Sequence, residues 1–299
     1  MNILLSGASG LIGQALIPVL TSGGHRVTCL VRFKPRGGES LVYWNPAGGE
    51  IDAPKLEGFA AVVHLAGEPI TGKWNAARKR AIRESRVKGT RLLCETMARL
   101  SNRPRVLVAA SASGYYGDRG DEVLREESKA GSSFLSQVCQ EWEAATKPAA
   151  ERGIRVVNLR FGFVLSRAGG GLAKMLSAFK MGVGGRLGSG KQYMSWIAVD
   201  DLVQIILFAT TTEALDGPVN AVAPNPVTNL ELTKTLGRVL GRPAIFPMPA
   251  FAVRLAFGEM GKELLLASSR IEPARLLSAG YQFRFPELEG ALRHLLGNG

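Results

Sequence analysis

In the first half of the chain, short apolar runs alternate with longer stretches in which apolar residues recur every three or four positions. The runs Asn2–Ser6, Arg26–Val31, Ala60–Leu65, Arg105–Ala110 and Ile154–Arg160 read as strands, Ala60–Leu65 as one buried on both faces. Leu11–Ser22, Trp74–Leu100 and Phe134–Arg152 read as helices, with Ala77, Ile82, Leu92, Leu93 and Met97 marking the stripe of the second. This alternation predicts an α/β protein, a parallel sheet covered by helices. Gly23-Gly24 ends the first helix with residues suited to a left-handed cap. Leu41–Trp44 is a further short strand ended by Asn45-Pro46, and Pro148 is expected to interrupt the third helix.

Beyond residue 165 the pattern loosens. Gly169-Gly170-Gly171 and the stretch from Gly182 to Gly190 read as loops. Val199–Thr210 reads as a helix returning to the sheet and Val219–Ala221 as a last strand. Pro-rich connections join helices in the remainder. Residues 1–165, with 199–223 returning to them, are therefore expected to form one domain. Residues 166–198 and 224–299 are expected to form a small, mainly helical one.

The composition narrows the class. The 299 residues are 46% hydrophobic and 21% charged, an ordinary globular balance. No stretch approaches 18 uninterrupted apolar residues, which argues against a membrane-spanning helix. Met1-Asn2 runs directly into Ile3-Leu4-Leu5, so no secretory leader is expected. Cys29, Cys94 and Cys139 are far apart and His25, His64 and His294 are the only histidines, which speaks against a disulfide framework or a metal site and for a reducing, cytoplasmic setting. The net charge of +12 is scattered, with clusters only at Arg78-Lys79-Arg80 and around Lys34 and Arg36. No nucleic-acid-binding motif accompanies it. The expected partner is an anionic or carbonyl small molecule rather than nucleic acid or a membrane, with a protein partner left open.

Gly7-Ala8-Ser9-Gly10-Leu11-Ile12-Gly13 falls between the first strand and the first helix. In that position glycines permit a tight turn and a close approach to a pyrophosphate, whose charge the helix N-terminus favours. Sites selective for NAD place a carboxylate near the end of the second strand. Here that strand ends Leu30-Val31-Arg32, with no acid before Glu39. A guanidinium at Arg32 suits a 2′-phosphate, with Lys34 and Arg36 adding to the field, so NADP(H) is the expected cofactor.

With this turn, Val62-Val63-His64-Leu65-Ala66-Gly67 and Trp196-Ile197-Ala198-Val199-Asp200-Asp201, the chain resembles the extended short-chain dehydrogenase/reductase superfamily. More narrowly it is similar to the atypical "epimerase family protein" group, nucleoside-diphosphate-sugar epimerase-like proteins of family 39U. That likeness rests on His64–Glu68, the helix from Trp74 through Ser85-Arg86-Val87, Ser111-Ala112-Ser113-Gly114-Tyr115-Tyr116-Gly117, Gly188–Gln192, and Gly280-Tyr281-Gln282-Phe283 with Phe285-Pro286. The resemblance spans essentially the whole chain. It implies a Rossmann doubly wound parallel sheet binding NADP(H), with the small C-terminal domain closing over a substrate cleft. The cofactor-binding residues it implies, together with the motif reading, are Gly7, Ser9, Gly10, Leu11, Ile12, Gly13, Val31, Arg32, Leu65, Ala66, Gly67, Arg86, Ala110, Ser111 and Phe163.

The chain departs from the superfamily at the catalytic pair. Aligning the acidic position on Glu143 puts Cys139 where a lysine is usual and Leu135 where a tyrosine is usual, and Arg86 replaces an asparagine. Leu135 neither donates nor accepts the proton that hydride transfer to a carbonyl requires. Replacement hydroxyls are sought in the loop after the strand Arg105–Ala110, namely Ser111, Ser113 or Tyr116, with Tyr115 in the same loop. Glu68 reads as a helix-capping carboxylate, Cys139 as a buried inert thiol and His64 as a core histidine. Lys191, Gln192 and Trp196 are suited to lining a cleft, although Trp196 equally suits the core. Asp200 and Asp201 open a helix, where capping accounts for at least one of them. Phe246-Pro247-Met248-Pro249 and Phe251 suggest an apolar lid. The resulting expectation is an NADP-dependent oxidoreductase that is not a sugar epimerase; the alternative is a non-catalytic NADP(H)-dependent sensor or interaction protein related to cell division.

Overall fold

The computed structural model describes residues 1–36 and 40–297. Its strands include β1 (Asn2–Ser6), β2 (Arg26–Val31), β3 (Leu41–Asn45), β4 (Glu50–Ile51), β5 (Ala61–His64), β6 (Val106–Ala112) and β7 (Arg155–Phe161). Two short strands, β8 (Phe163–Leu165) and β9 (Trp196–Ala198), pair parallel with each other, and β10 (Gly217–Ala221) follows. The main sheet runs β10-β7-β6-β5-β1-β2-β3-β4, parallel except for the last pair. From β1 the chain steps outward through β2 to β3, then returns to the other flank through β5. The crevice beyond the carboxyl ends of β1 and β5 is thus the topological switch point, where open α/β sheets bind ligands.

Period-two alternation sends neighbouring side chains to opposite faces. Ile3 and Leu5 face one core with Leu16 and Leu20 of α1 (Leu11–Ser22), whereas Leu4, Val62 and Leu107 face another with Leu93 and Met97 of α2 (Ala76–Arg99). Helix α1 ends as expected, with Gly24 at φ +74°. The expected helix 134–152 is two helices, α3 (Phe134–Ala144) and α4 (Lys147–Ala150). Pro148 sits in the first turn of α4, where its missing N–H leaves no bond unmade.

Helices α5 (Gly170–Lys180), α6 (Val199–Thr211), α7 (Asn229–Leu240), α8 (Ala250–Gly261), α9 (Ala274–Ser278) and α10 (Leu288–Leu296) complete the chain. Leu172, Leu202, Leu232, Leu236, Leu276 and Leu292 join the core that holds Ile3 and Leu5, so α5, α6, α7, α9 and α10 pack on that face of the sheet, whereas Met260 of α8 joins a separate cluster with Trp74 and Leu135. A reciprocal box between Thr228 and Glu231 caps α7, and Gly241 ends it at φ +61°. Asp201 caps no helix with its side chain. It is buried in the first turn of α6 and accepts the backbone N–H groups of Arg284 (2.8 Å) and Phe285 (2.9 Å), tethering the segment before α10. Burial, with the Asp201 carboxylate adding to it, raises the pKa of the Tyr281 phenol beside it. Among the described residues, no helix is long and apolar enough to cross a membrane.

Candidate functional site

The glycine turn lies at the switch point, and each glycine answers a different demand. Gly7 takes φ +77°, and a Cβ there would lie 2.7 Å from the Leu65 carbonyl carbon, so β1 and β5 approach too closely for any side chain. At Gly13 a Cβ would fall 2.3 Å from the Gly7 carbonyl oxygen. Gly10 is different: its Cβ would meet only that same oxygen, at 3.3 Å. The fold demands less of this glycine than of Gly7 or Gly13. Gly10 is also the N-cap of α1 and supplies no side chain to the first-turn amides, which have no acidic residue beside them. Open amides behind a turn without side chains fit a pyrophosphate. Leu11 packs against Gly169 and Gly170 at the start of α5, and Gly171 behind them lies against the Phe163 ring.

A buried polar chain braces the turn from below. The Ser6 hydroxyl accepts from the amides of Leu65 (3.2 Å) and Ala66 (3.3 Å) and lies 2.6 Å from Nδ1 of His64. Having spent its lone pairs on two amides, Ser6 donates its proton to Nδ1. The Nε2–H then donates to Thr90 Oγ1 at 2.9 Å, which also accepts from the Trp142 indole. Burial pushes the His64 pKa down to about 4, so the ring is neutral. This is the core histidine expected from the sequence.

Val31 ends β2 half-buried, and Arg32 follows exposed, with no carboxylate partner among the described residues. Lys34 stands over the Tyr43 ring at 5.8 Å. Glu39, the first acid after β2 in the sequence, lies outside the described residues. Gly67 rests on the Arg86 guanidinium, which is held by the carbonyls of Glu68 (3.0 Å) and Ile82 (3.1 Å) and faces the Trp142 ring. Burial lowers the Arg86 pKa from its ordinary value. Glu68 is not a helix cap. Asn75 caps α2, and the Glu68 carboxylate lies 3.5 Å from Arg78.

The carboxyl end of β6 carries Ala110 and Ser111, and the structure narrows the three candidate hydroxyls there. Tyr116 is fully buried and has no access to a cleft. It donates to Asn220 Oδ1 at 2.7 Å and accepts from Arg160 at 2.9 Å, and burial raises its pKa to about 12. It therefore leaves the candidate set. The Ser111 proton goes to Glu143 at 2.7 Å, and the residue is 1% exposed. Ser113 is partly exposed in the short turn Ser113–Tyr115, and its hydroxyl bonds no side chain among the described residues.

Leu135 and Cys139 lie one turn apart on α3, both against Gly114. Leu135 packs into an apolar cluster with Trp74, Ile82 and Met260. Burial raises the Cys139 pKa to about 12, leaving an unreactive thiol. In the C-terminal third, Gln192 does not line a cleft: its buried amide donates to the carbonyls of Leu187 and Leu265. Trp196 is core, 0% exposed, with its indole N–H on the Asn225 carbonyl. Lys191 is exposed.

Two features went unread in the sequence. Arg160 and Glu143 form a buried ion pair, signalled only by a charge in a strand that otherwise reads as core. Glu263 reaches across from the segment after α8 to accept from the amides of Phe134 (3.0 Å) and Leu135 (2.9 Å) and from the Ser133 hydroxyl. No local pattern announces that contact, because the partners are more than a hundred residues apart.

Family models match residues 3–221 as the NAD dependent epimerase/dehydratase family and residues 248–295 as a domain of unknown function. An epimerase family protein of Mycobacterium bovis is 44% identical over 291 residues, 97% of this chain and 96% of the relative. The crystal structure of human epimerase family protein SDR39U1 with NADPH aligns at a TM-score of 0.91 and 35% identity, covering 100% of both chains. A nucleoside-diphosphate sugar epimerase structure from Corynebacterium glutamicum aligns at 0.82 and 38% identity, covering 100% of this chain and 58% of that one. A doubly wound parallel sheet with an open glycine turn at its switch point defines a Rossmann-type protein. The chain belongs to the NAD dependent epimerase/dehydratase family, and its near relatives are the epimerase family proteins.

Proposed function

We propose that the chain is an NADP(H)-binding, oxidoreductase-like member of its family that works without a tyrosine and lysine pair. The observation that carries this reading is the open turn at Gly10 together with the exposed guanidinium of Arg32 at the end of β2. The human relative crystallised with NADPH supports it. The amides of Ser9 and of Leu11 to Gly13 hold the pyrophosphate, the Gly10 N–H being committed to the Gly7 carbonyl at 3.0 Å, and Arg32 with Lys34 attracts the 2′-phosphate. Leu65, Ala66, Gly67 and Arg86 flank the nicotinamide half, with Ala110, Ser111 and Phe163 near the ring. When bound, NADPH supplies a hydride from its nicotinamide C4.

The chain's own part is to position a carbonyl substrate and to keep water out. Ser113 is the hydroxyl assigned to orient it, because Ser111 and Tyr116 are committed elsewhere. Residues 1–165 and 199–223 form the cofactor side, and 166–198 with 224–299 the substrate side. Epimerisation through a keto intermediate is not assigned, since Leu135 and Cys139 supply neither acid nor cation. Three free cysteines suit a reducing compartment such as the cytoplasm.

Calorimetric titration with NADPH and NADH, followed by a carbonyl panel monitored by NADPH oxidation, tests the reading. It expects NADPH to bind at least about tenfold tighter, which corresponds to about 1.4 kcal/mol, and oxidation with at least one carbonyl. Absence of binding refutes it. Tight binding without oxidation favours the non-catalytic sensor, for which the apolar packing of Leu135 against Met260 is the supporting observation.

A further inference from the structure

The C-terminal third carries an apolar surface that the cofactor reading does not use. Helix α8 is apolar along most of its length, yet between Ala250 and Glu259 only Val253 is buried. Leu255 is 87% exposed and Phe251 71%. Met181 and Ile245, both 72% exposed, lie on two segments that run side by side, the second leading into this helix. Phe246 N–H donates to the Gly184 carbonyl and Met248 N–H to the Arg186 carbonyl, which joins the segment after α5 to the segment before α8. Large side chains at this exposure are projections, not the lining of a groove.

The charges around these projections have one sign. Every charged residue between positions 161 and 199, and again between 232 and 258, is a lysine or an arginine. Lys180, Arg186, Arg242 and Arg254 are exposed among the apolar projections, and none forms an ion pair among the described residues. The nearest acids along the chain are turned elsewhere. Glu259 pairs with Lys79 at 2.7 Å, and Glu263 caps α3.

We infer that this face docks peripherally on an anionic lipid bilayer, with Phe251, Leu255, Ile245 and Met181 entering the headgroup boundary and the surrounding cations meeting lipid phosphates. Projecting apolar side chains ringed by lysine and arginine are the features that interfacial binding uses. A second copy of the chain fits poorly, because a two-fold contact through this face sets cations against cations. Absence of a spanning helix does not bear on this, since surface binding needs none. The sequence shows no continuous apolar run, the local mark from which a membrane partner would be expected. Here the apolar residues come from separate segments that only the fold assembles.

The test is sedimentation of the full-length protein with phosphatidylcholine vesicles, and with vesicles of phosphatidylcholine mixed with phosphatidylglycerol. Trp44, Trp74, Trp142 and Trp196 are all buried, so a Phe251→Trp variant adds the one surface indole among the described residues. Binding to the phosphatidylglycerol vesicles alone is expected, with a blue shift of the new indole's emission. The pair Lys180→Glu and Arg254→Glu should weaken binding at least tenfold, from roughly fivefold per cation. Phe251→Ser with Leu255→Ser should abolish it, while circular dichroism and NADPH affinity stay unchanged. Four results overturn the inference: no sedimentation with the anionic vesicles, equal binding to phosphatidylcholine alone, binding indifferent to these variants, or a concentration-dependent dimer that Leu255→Ser dissolves.

Discussion

The Arg160 guanidinium holds the Glu143 carboxylate through two parallel hydrogen bonds, Nε to Oε1 and Nη2 to Oε2, each 2.8 Å long, with the arginine 2% exposed. Its remaining Nη1 donates to Tyr116 and to the Glu126 carbonyl, and its face lies 3.5 Å from the centre of the Tyr115 ring. Burial disfavours the guanidinium charge, but the hydrogen-bonded carboxylate more than reverses this and raises its pKa. One arginine at the end of β7 thereby ties α3 to the loop after β6. It also accounts for the unavailability of two hydroxyls, since Ser111 donates to its carboxylate and Tyr116 accepts from its guanidinium.

Breaking this pair from one side should be severe. Arg160→Met leaves the Glu143 carboxylate without its cation in a mostly buried site, and a loss of about 3–5 kcal/mol is expected. Combining it with Glu143→Leu should recover part of that loss. Urea denaturation of the two single variants and the double variant measures this, and strict additivity would show that the pair is not coupled.

Gly10 and Gly13 should separate folding from binding. Gly13→Ala drives a Cβ to 2.3 Å from the Gly7 oxygen and is expected to lower the melting temperature sharply. Gly10→Ala meets only one oxygen at 3.3 Å, so its loss of stability should be smaller than that of Gly13→Ala while NADPH affinity falls at least about tenfold, or 1.4 kcal/mol. Thermal melts alongside calorimetry distinguish the two.

Arg32→Asp should exchange cofactor preference. Losing the guanidinium removes a charge-assisted partner for the 2′-phosphate, and the new carboxylate suits ribose hydroxyls. NADPH affinity is expected to fall at least about tenfold and NADH affinity to rise. Unchanged NADPH affinity would remove Arg32 from the site.

His64 sets a pH dependence. Its folded pKa of about 4 lies below the ordinary 6.5, because burial penalises the charged ring. The unfolded chain therefore binds the proton more readily between those values. The stabilisation is complete above pH 6.5 and is lost as the pH falls towards 4, a total of about 3 kcal/mol. Urea titrations across that range should show the decline, and His64→Gln should flatten it.

The local signals in the chain were strong where physics is local. Aliphatic runs predicted β1, β2, β5, β6 and β7, and Gly7 to Gly13 located the turn, because period-two burial and a positive φ depend on neighbours in sequence. Pro148 predicts an interruption, and the structure makes it the start of a second helix.

What the sequence determined by itself is the α/β class, the glycine turn, the positive charge at the end of β2 and the neutral core histidine. The tertiary structure alone decided which side chains remain free at the carboxyl end of β6, and which face of the C-terminal third stays uncovered. Tyr116 and Ser113 are three residues apart in one loop. Only the packing of Arg160 and Asn220 around Tyr116 buries one hydroxyl, while the other stays partly exposed. Glu263 on α3 and the pairing of Gly184 with Phe246 follow the same rule. Hydrogen bonding and burial act between groups that meet in space, and residues far apart along the chain carry no local mark of that meeting.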